Sequence, residues 1–174
     1  DLDMSGILGG QATAATRAGS VVGIGLTRVI PRGSGAAARG GNRDQVIIAT
    51  KVGMEMGPDR KGLRKTYIME SVDQSLQRMQ TDYIDLYQSH QDDPDTPLEE
   101  KLSAYAELIA RGKVRAIGAS NFTAERLIDS IQVSRKLGLP GYQCLQPHYN
   151  LAERADYERS LEPVCLREHV GVIP

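Results

Sequence analysis

From Asp44 onward the chain alternates short apolar runs with amphipathic stretches of helical period, and that alternation admits few folds. Gln45–Val52 (QVIIATKV) is a nearly continuous apolar run that closes on a lysine. Such runs belong to strands covered on both faces, as in parallel sheets. Tyr83–His90 (YIDLYQSH), Val114–Asn121 (VRAIGASN), Cys144–Asn150 (CLQPHYN) and Val170–Pro174 (VGVIP) complete a set of five strand candidates.

Helices are expected between them. Over Thr66–Gln80, Ile68, Val72, Ser75, Leu76 and Met79 fall at i, i+4, i+7, i+8 and i+11, a stripe that would pack on a sheet. A second helix should start at Thr96-Pro97-Leu98-Glu99, with Thr96 as N-cap, proline in the first turn and Glu99 and Glu100 where the helix dipole favours acids. It would bury Leu102, Tyr105, Leu108 and Ile109 and stop at Gly112. Thr123 opens a third, with Leu127, Ile128, Ile131 and Leu137 on its apolar side and Gly138 at its end. A fourth is expected around Glu153–Glu168.

Parallel strands joined by helices make right-handed crossovers, which build either an open doubly wound sheet or a barrel. The polar residues favour the barrel. Lys51, His90, Ser120, Asn121 and Gln146 each fall at or near the carboxyl end of a strand candidate, the edge on which barrel enzymes assemble their sites.

The first 43 residues differ. Residues 1–41 hold ten of the eighteen glycines and no aromatic residue, so they lack the bulky side chains of a core. Residues 1–43 are read as an atypical Gly/Ala/Arg-rich segment, poorly structured or of replaced origin, in which only Ser20–Ile30 looks strand-like. Residues 44–174 form the second unit, a partial barrel.

Composition narrows the function classes. The length of 174 residues suits one domain or part of one. A net charge of −1 provides no concentrated positive field for nucleic acid or an acidic membrane surface, so neither is an expected partner. No apolar run reaches the roughly 18 residues that cross a bilayer. Cys144 and Cys165 lack CxxC spacing, which suggests neither a disulfide framework nor a zinc site and fits a reducing, cytoplasmic setting.

Taken singly, the polar residues are ambiguous. Lys51 also reads as a strand-end lysine reaching to solvent, and His90, on the strand face of Ile84, Leu86 and Gln88, as a hydrogen-bonded structural histidine. Asp92, Asp93 and Asp95 resemble a metal cluster, but solvation and capping explain that loop better, and no metal is expected. Ser120 and Asn121 could make a simple turn. His148 and His169 read as structural or surface residues, and Tyr83, Tyr87 and Tyr149 as core or interface aromatics.

Their order is more specific. Ala49–Gly53 (ATKVG), Ser71–Asp93 (SVDQSLQRMQTDYIDLYQSHQDD), Gly112–Phe122 (GKVRAIGASNF) and Leu145–Leu151 (LQPHYNL) together resemble the aldo-keto reductase family over about Asp44–Pro174, including members similar to potassium-channel β subunits. The resemblance implies a (β/α)8 TIM barrel, of which this chain would hold about strands 3–7. It also implies hydride transfer from NADPH to a small-molecule carbonyl substrate, an aldehyde or ketone. Carried over by motif, Lys51 and His90 would be catalytic, while Ser120, Asn121 and Gln146 would hold the nicotinamide carboxamide. The family's tyrosine donates a proton to the carbonyl oxygen, and a lysine held by an aspartate lowers its pKa.

That aspartate and tyrosine should precede Lys51, and residues 1–43 contain no motif of that kind; the first tyrosine is Tyr67. The eighth strand and the basic residues that clasp the 2′-phosphate would follow Pro174. A fragment with a replaced N-terminus is the expectation, and a homo-oligomer is compatible with it. A non-catalytic nucleotide-binding or regulatory module is the alternative function.

Overall fold

The computed structural model describes residues 21–23 and 43–174. The reading of residues 1–43 as poorly structured therefore lies almost wholly outside the described residues. Among the described residues six strands form one sheet: β1 (Val21–Gly23), β2 (Ile47–Val52), β3 (Ile84–Ser89), β4 (Val114–Ser120), β5 (Cys144–Gln146) and β6 (Gly171–Val172). Every neighbouring pair is parallel and the spatial order is the sequence order. A doubly wound sheet reverses its strand order at a switch point, and among the described residues this one does not. The architecture is that of a partial (β/α)8 barrel, in which β1 lies within the strand-like stretch Ser20–Ile30 and precedes the five strand candidates.

The crossovers are α1 (Lys65–Met79), α2 (Leu98–Ala110), α3 (Ala124–Leu137) and, before β6, a π-helical segment Tyr157–Leu161 that runs into α4 (Glu162–Glu168). In α1 the expected stripe is in place: Ile68, Val72, Ser75 and Met79 are buried, joined by Tyr67. Thr123 caps α3 by accepting a hydrogen bond from the Arg126 amide at 3.2 Å. Gly138 ends α3 at φ +63°, where a side chain would be strained.

Three local expectations change. Thr96 does not cap α2; Pro97 occupies that position, and the Thr96 hydroxyl donates instead to Asp93 Oδ2 at 2.7 Å. Leu137 is exposed, and Ser130 and Ser134 take its place on the buried side of α3. They are tolerated there because each hydroxyl donates to a backbone carbonyl, of Leu127 and Leu139 respectively. The fourth strand candidate ends at Gln146, ahead of Pro147, whose ring removes the next ladder donor.

The sheet has two differently packed faces. The large core lies between sheet and helices and includes Ile48, Tyr87, Leu102, Leu108, Ile117, Leu127 and Leu145, each almost fully buried. Burying a side chain of this size stabilises by about 1.5–3 kcal/mol. The inner face has a much smaller cluster of Leu86, Ala116 and Cys144, with Ala49 and Ile173 against it. Ile84, although on the strand parity of Leu86, packs with the helix-side core.

Gly118 is fitted to that inner face. A Cβ there would lie 2.7 Å from Cys144 Sγ and 3.0 Å from Gln88 Cγ. Only glycine lets the side chains of β3 and β5 approach across β4.

The amino end of the sheet is pinned separately. The guanidinium groups of Arg43 and Arg115 lie over the Tyr83 ring at 3.7 and 3.9 Å, and both pair with Asp85, at 2.6 and 2.9 Å.

Candidate functional site

Strand register brings the sequence candidates to one rim. Lys51 is opposite Gln88, which is opposite Gly118, which is opposite Cys144, so these four share a layer of the inner face. One layer toward the carboxyl ends, Ser120 pairs with Gln146. His90 immediately follows β3 and extends its pairing by one step, its amide donating to the Val52 carbonyl at 2.8 Å. By strand alternation His90 stands above Gln88 on the same face.

Hydrogen bonds tie this rim together. The Asn121 amide nitrogen Nδ2 donates to the His90 carbonyl at 2.9 Å and to Ser120 Oγ at 3.2 Å, while the Asn121 backbone amide donates to the Gln146 carbonyl at 3.2 Å. Asn121 has φ +54°, a conformation its short polar side chain tolerates better than most. Gln88 Nε2 donates to Gln146 Oε1 at 3.3 Å. Gln88 is buried and had no assigned role in the sequence; the available signal was its place two residues before His90. Cys144, which the sequence gives neither a disulfide nor a zinc role, is free and buried in the Lys51 layer.

The electrostatics of the rim follow from burial without a counterion. Lys51 is half-buried, and desolvation lowers its pKa from the ordinary lysine value. Among the described residues no carboxylate lies within ion-pair distance of its Nζ. The nearby Cys144 thiol is pushed up to about 12 by burial, so it stays protonated at neutral pH and does not balance the ammonium. The His90 imidazole is lowered by desolvation first and then by the Lys51 charge. Its Nδ1 is buried with no hydrogen-bond partner among the described residues.

A different set of contacts holds the rim from outside. Lys101, fully buried, donates to Asp92 Oδ1 at 3.1 Å and to the Asp93 carbonyl, and Arg126 donates to both Asp92 oxygens at 2.8 and 3.1 Å. Asp93 Oδ2 accepts from the Leu63 amide at 2.6 Å. Asp92 and Asp93 thus fasten the loop after His90 to α2, α3 and the segment before α1. Among the described residues no group of three or more His, Cys, Asp or Glu could hold a metal ion. His148 is on the surface, pairing with Glu153 at 2.9 Å. No described tyrosine is on the inner rim: Tyr87, Tyr105 and Tyr142 are in the helix-side core, and Tyr83 is at the opposite end of β3.

Amide, hydroxyl, imidazole and amine groups on the carboxyl ends of adjacent parallel strands define a barrel protein with a polar site in the usual enzymatic position. The family model described as the aldo/keto reductase family matches residues 23–174. The chain is 43% identical over 125 residues to the aldo-keto reductase YhdN of Bacillus subtilis (strain 168), covering 71% of this chain and 36% of that protein. It is 40% identical over 133 residues to the L-glyceraldehyde 3-phosphate reductase of Escherichia coli (strain K12), covering 75% and 38%. It is 33% identical over 134 residues to a probable voltage-gated potassium channel subunit beta of Oryza sativa subsp. japonica, covering 76% and 41%. The chain belongs to the aldo/keto reductase family, and it spans less than half the length of these relatives. The family generally uses nicotinamide cofactors. Among the described residues no helix is long and apolar enough to cross a membrane.

Proposed function

We propose that this chain is part of an oxidoreductase that reduces an aldehyde or ketone with NADPH, and that its inner rim forms one side of the site. The observation that carries this is the convergence of Lys51, His90, Ser120, Asn121 and Gln146 on the carboxyl ends of β2 to β5. Ser120, Asn121 and Gln146 would hold the nicotinamide carboxamide, whose oxygen and NH2 need donors and acceptors at fixed positions. Their amides and hydroxyl supply both kinds of partner. NADPH would supply the hydride.

The chain's own groups would act on the carbonyl oxygen, where negative charge develops as the hydride arrives. The buried, unpartnered Nδ1 of His90 shows that the imidazole is not committed to a structural hydrogen bond on that side. Its lowered pKa keeps it neutral at pH 7, able to orient the oxygen through a hydrogen bond without carrying charge. The Lys51 ammonium would contribute the positive field. The relatives named as reductases support this reading.

The second reading is a binding module that holds the nucleotide without turnover. It is favoured by the lack of a tyrosine on the described rim and by the likeness to a protein named as a potassium channel subunit. Titration with NADPH, followed by cofactor fluorescence and then by a panel of aldehydes, separates the two. Binding with oxidation supports the reductase, and binding without oxidation supports the module. Absence of binding overturns both for this chain. The two free, buried cysteines fit a reducing, cytoplasmic location, and a homo-oligomer would be compatible with this reading.

A further inference from the structure

We infer that Asp92, gripped by the buried ammonium of Lys101, is a positioning residue that holds the His90 imidazole in place on the rim. The inference rests on the proposed function for what the imidazole acts on, and on the contacts of the turn after β3 for how it is held.

Lys101 breaks a local pattern. In α2 the buried side chains Leu98, Lys101, Leu102, Tyr105 and Leu108 fall at i, i+3, i+4, i+7 and i+10, one stripe of helical period. The other four are aliphatic or aromatic. Lys101 has no exposed surface, and its Nζ donates to Asp92 Oδ1 at 3.1 Å and to the Asp93 carbonyl. An ammonium in that slot carries a desolvation cost that a methionine would not, and exchanging a buried ion pair for apolar residues of similar volume is often neutral or stabilising. Stability therefore does not account for Lys101. What the pair adds is direction, because a carboxylate held by fixed donors has one place and one orientation.

Arg126 completes that hold. Its Nη2 donates to Asp92 Oδ1 at 3.1 Å and its Nε to Oδ2 at 2.8 Å, so three donors from two helices engage both oxygens. Asp93 Oδ2, next along the chain, accepts from the Leu63 amide and from the Thr96 hydroxyl. Two carboxylates balance two cations within the cluster, and the turn is tied to three crossovers at once.

His90 lies two residues before Asp92. On its other side Ser89 Oγ shares hydrogen bonds with the Tyr105 and Tyr142 hydroxyls at 2.8 and 2.9 Å. The imidazole is thus bracketed from the helix side, by neutral hydroxyls before it and by charged groups after it. Bonds to a charged group are roughly twice as strong as neutral ones, which makes Asp92 the firmer bracket. A misplacement of about 1 Å at a reacting group can cost about a hundredfold in rate, so slack in this turn would reach the substrate oxygen.

The test follows the His90 ring directly, without cofactor or substrate. The chain has three histidines, so carbon relaxation in histidine-labelled protein resolves His90 with His148 and His169 as references. The variants are Asp92→Asn, Lys101→Met and, as a control for lost stability alone, Val72→Ala in the buried stripe of α1. The His90 ring order parameter should be about 0.85 in the wild type and below about 0.6 in Asp92→Asn and Lys101→Met, with Val72→Ala unchanged. Should Asp92→Asn fail to fold, Lys101→Met decides, because it removes the buried cation and leaves Asp92 paired with Arg126. Unchanged order in Lys101→Met, or an equal fall in Val72→Ala, overturns the inference. NADPH titration of the wild type reads the other proposal. Loss of ring order with no NADPH binding keeps the positioning role and sinks the cofactor reading, and NADPH binding with ring order unchanged in Lys101→Met does the reverse.

Discussion

The side-chain amide of Asn121 donates to the backbone carbonyl of His90 at 2.9 Å, so the residue after β4 fixes the height of the imidazole after β3. Asn121 does this from φ +54°, and the two properties can be separated by substitution. Asn121→Gly relieves the backbone while removing the bond; it should keep its thermal midpoint within a few degrees and, on the proposed function, weaken NADPH binding by about tenfold. Asn121→Val puts a β-branched residue into the left-handed region and should lose about 1–3 kcal/mol of stability. Thermal melts and fluorescence titrations of both variants check this.

Gly118→Ala should destabilise through the inner face. The added methyl meets Cys144 Sγ at 2.7 Å, and overpacking of this kind costs about 1–3 kcal/mol, or about 2–4 °C in Tm for each kcal/mol. The double variant Gly118→Ala, Cys144→Ala should recover part of the loss. A cycle showing strict additivity would mean that the two side chains do not meet.

Asp92 should dominate the acid side of the stability curve. Burial works to raise its carboxyl pKa, but hydrogen bonds from Arg126 and Lys101 and the charge of both outweigh it and hold the group below the usual carboxylate range. The stabilisation is therefore complete above about pH 4 and lost as pH falls through the lower folded value. Asp92→Asn leaves the buried Lys101 with the Asp93 carbonyl alone and should cost about 3–5 kcal/mol at pH 7. Denaturant melts across the acid range would show the dependence flattened in the variant.

His90 should titrate below an ordinary histidine, because desolvation and then the Lys51 charge disfavour its protonated form. As pH falls through about 6.5 the unfolded imidazole takes up a proton that the folded one resists, so stability declines there. Lys51→Met removes one of the two causes and should raise the His90 pKa, read by NMR from the imidazole proton shift. An unchanged titration would show that the two side chains do not interact.

The parts of this fold legible in the sequence are those set by local pattern. The run ending at Lys51, the α1 stripe from Ile68 to Met79 and the Thr123 cap all needed only period and residue type. The Thr96 cap failed because Asp93, fixed by the Leu63 amide from a distant loop, was the stronger partner for its hydroxyl. Sequence order placed Lys51, His90, Ser120, Asn121 and Gln146 at strand ends, but only register puts Lys51 level with Gln88 and Cys144. Register depends on how each crossover packs, which no window of sequence contains. The buried Nδ1 of His90 and the Gly118 contact were invisible for the same reason.

The unequal faces of the sheet bear on how such a chain diversifies. The bulky apolar interlock lies on the helix side, and the rim residues meet mostly small neighbours and one another. Changes at Lys51, His90 or Gln146, each only partly buried, therefore fall where little of the packing is at stake. A change on the rim thus starts from a scaffold that still folds, whatever the rim is recruited to bind.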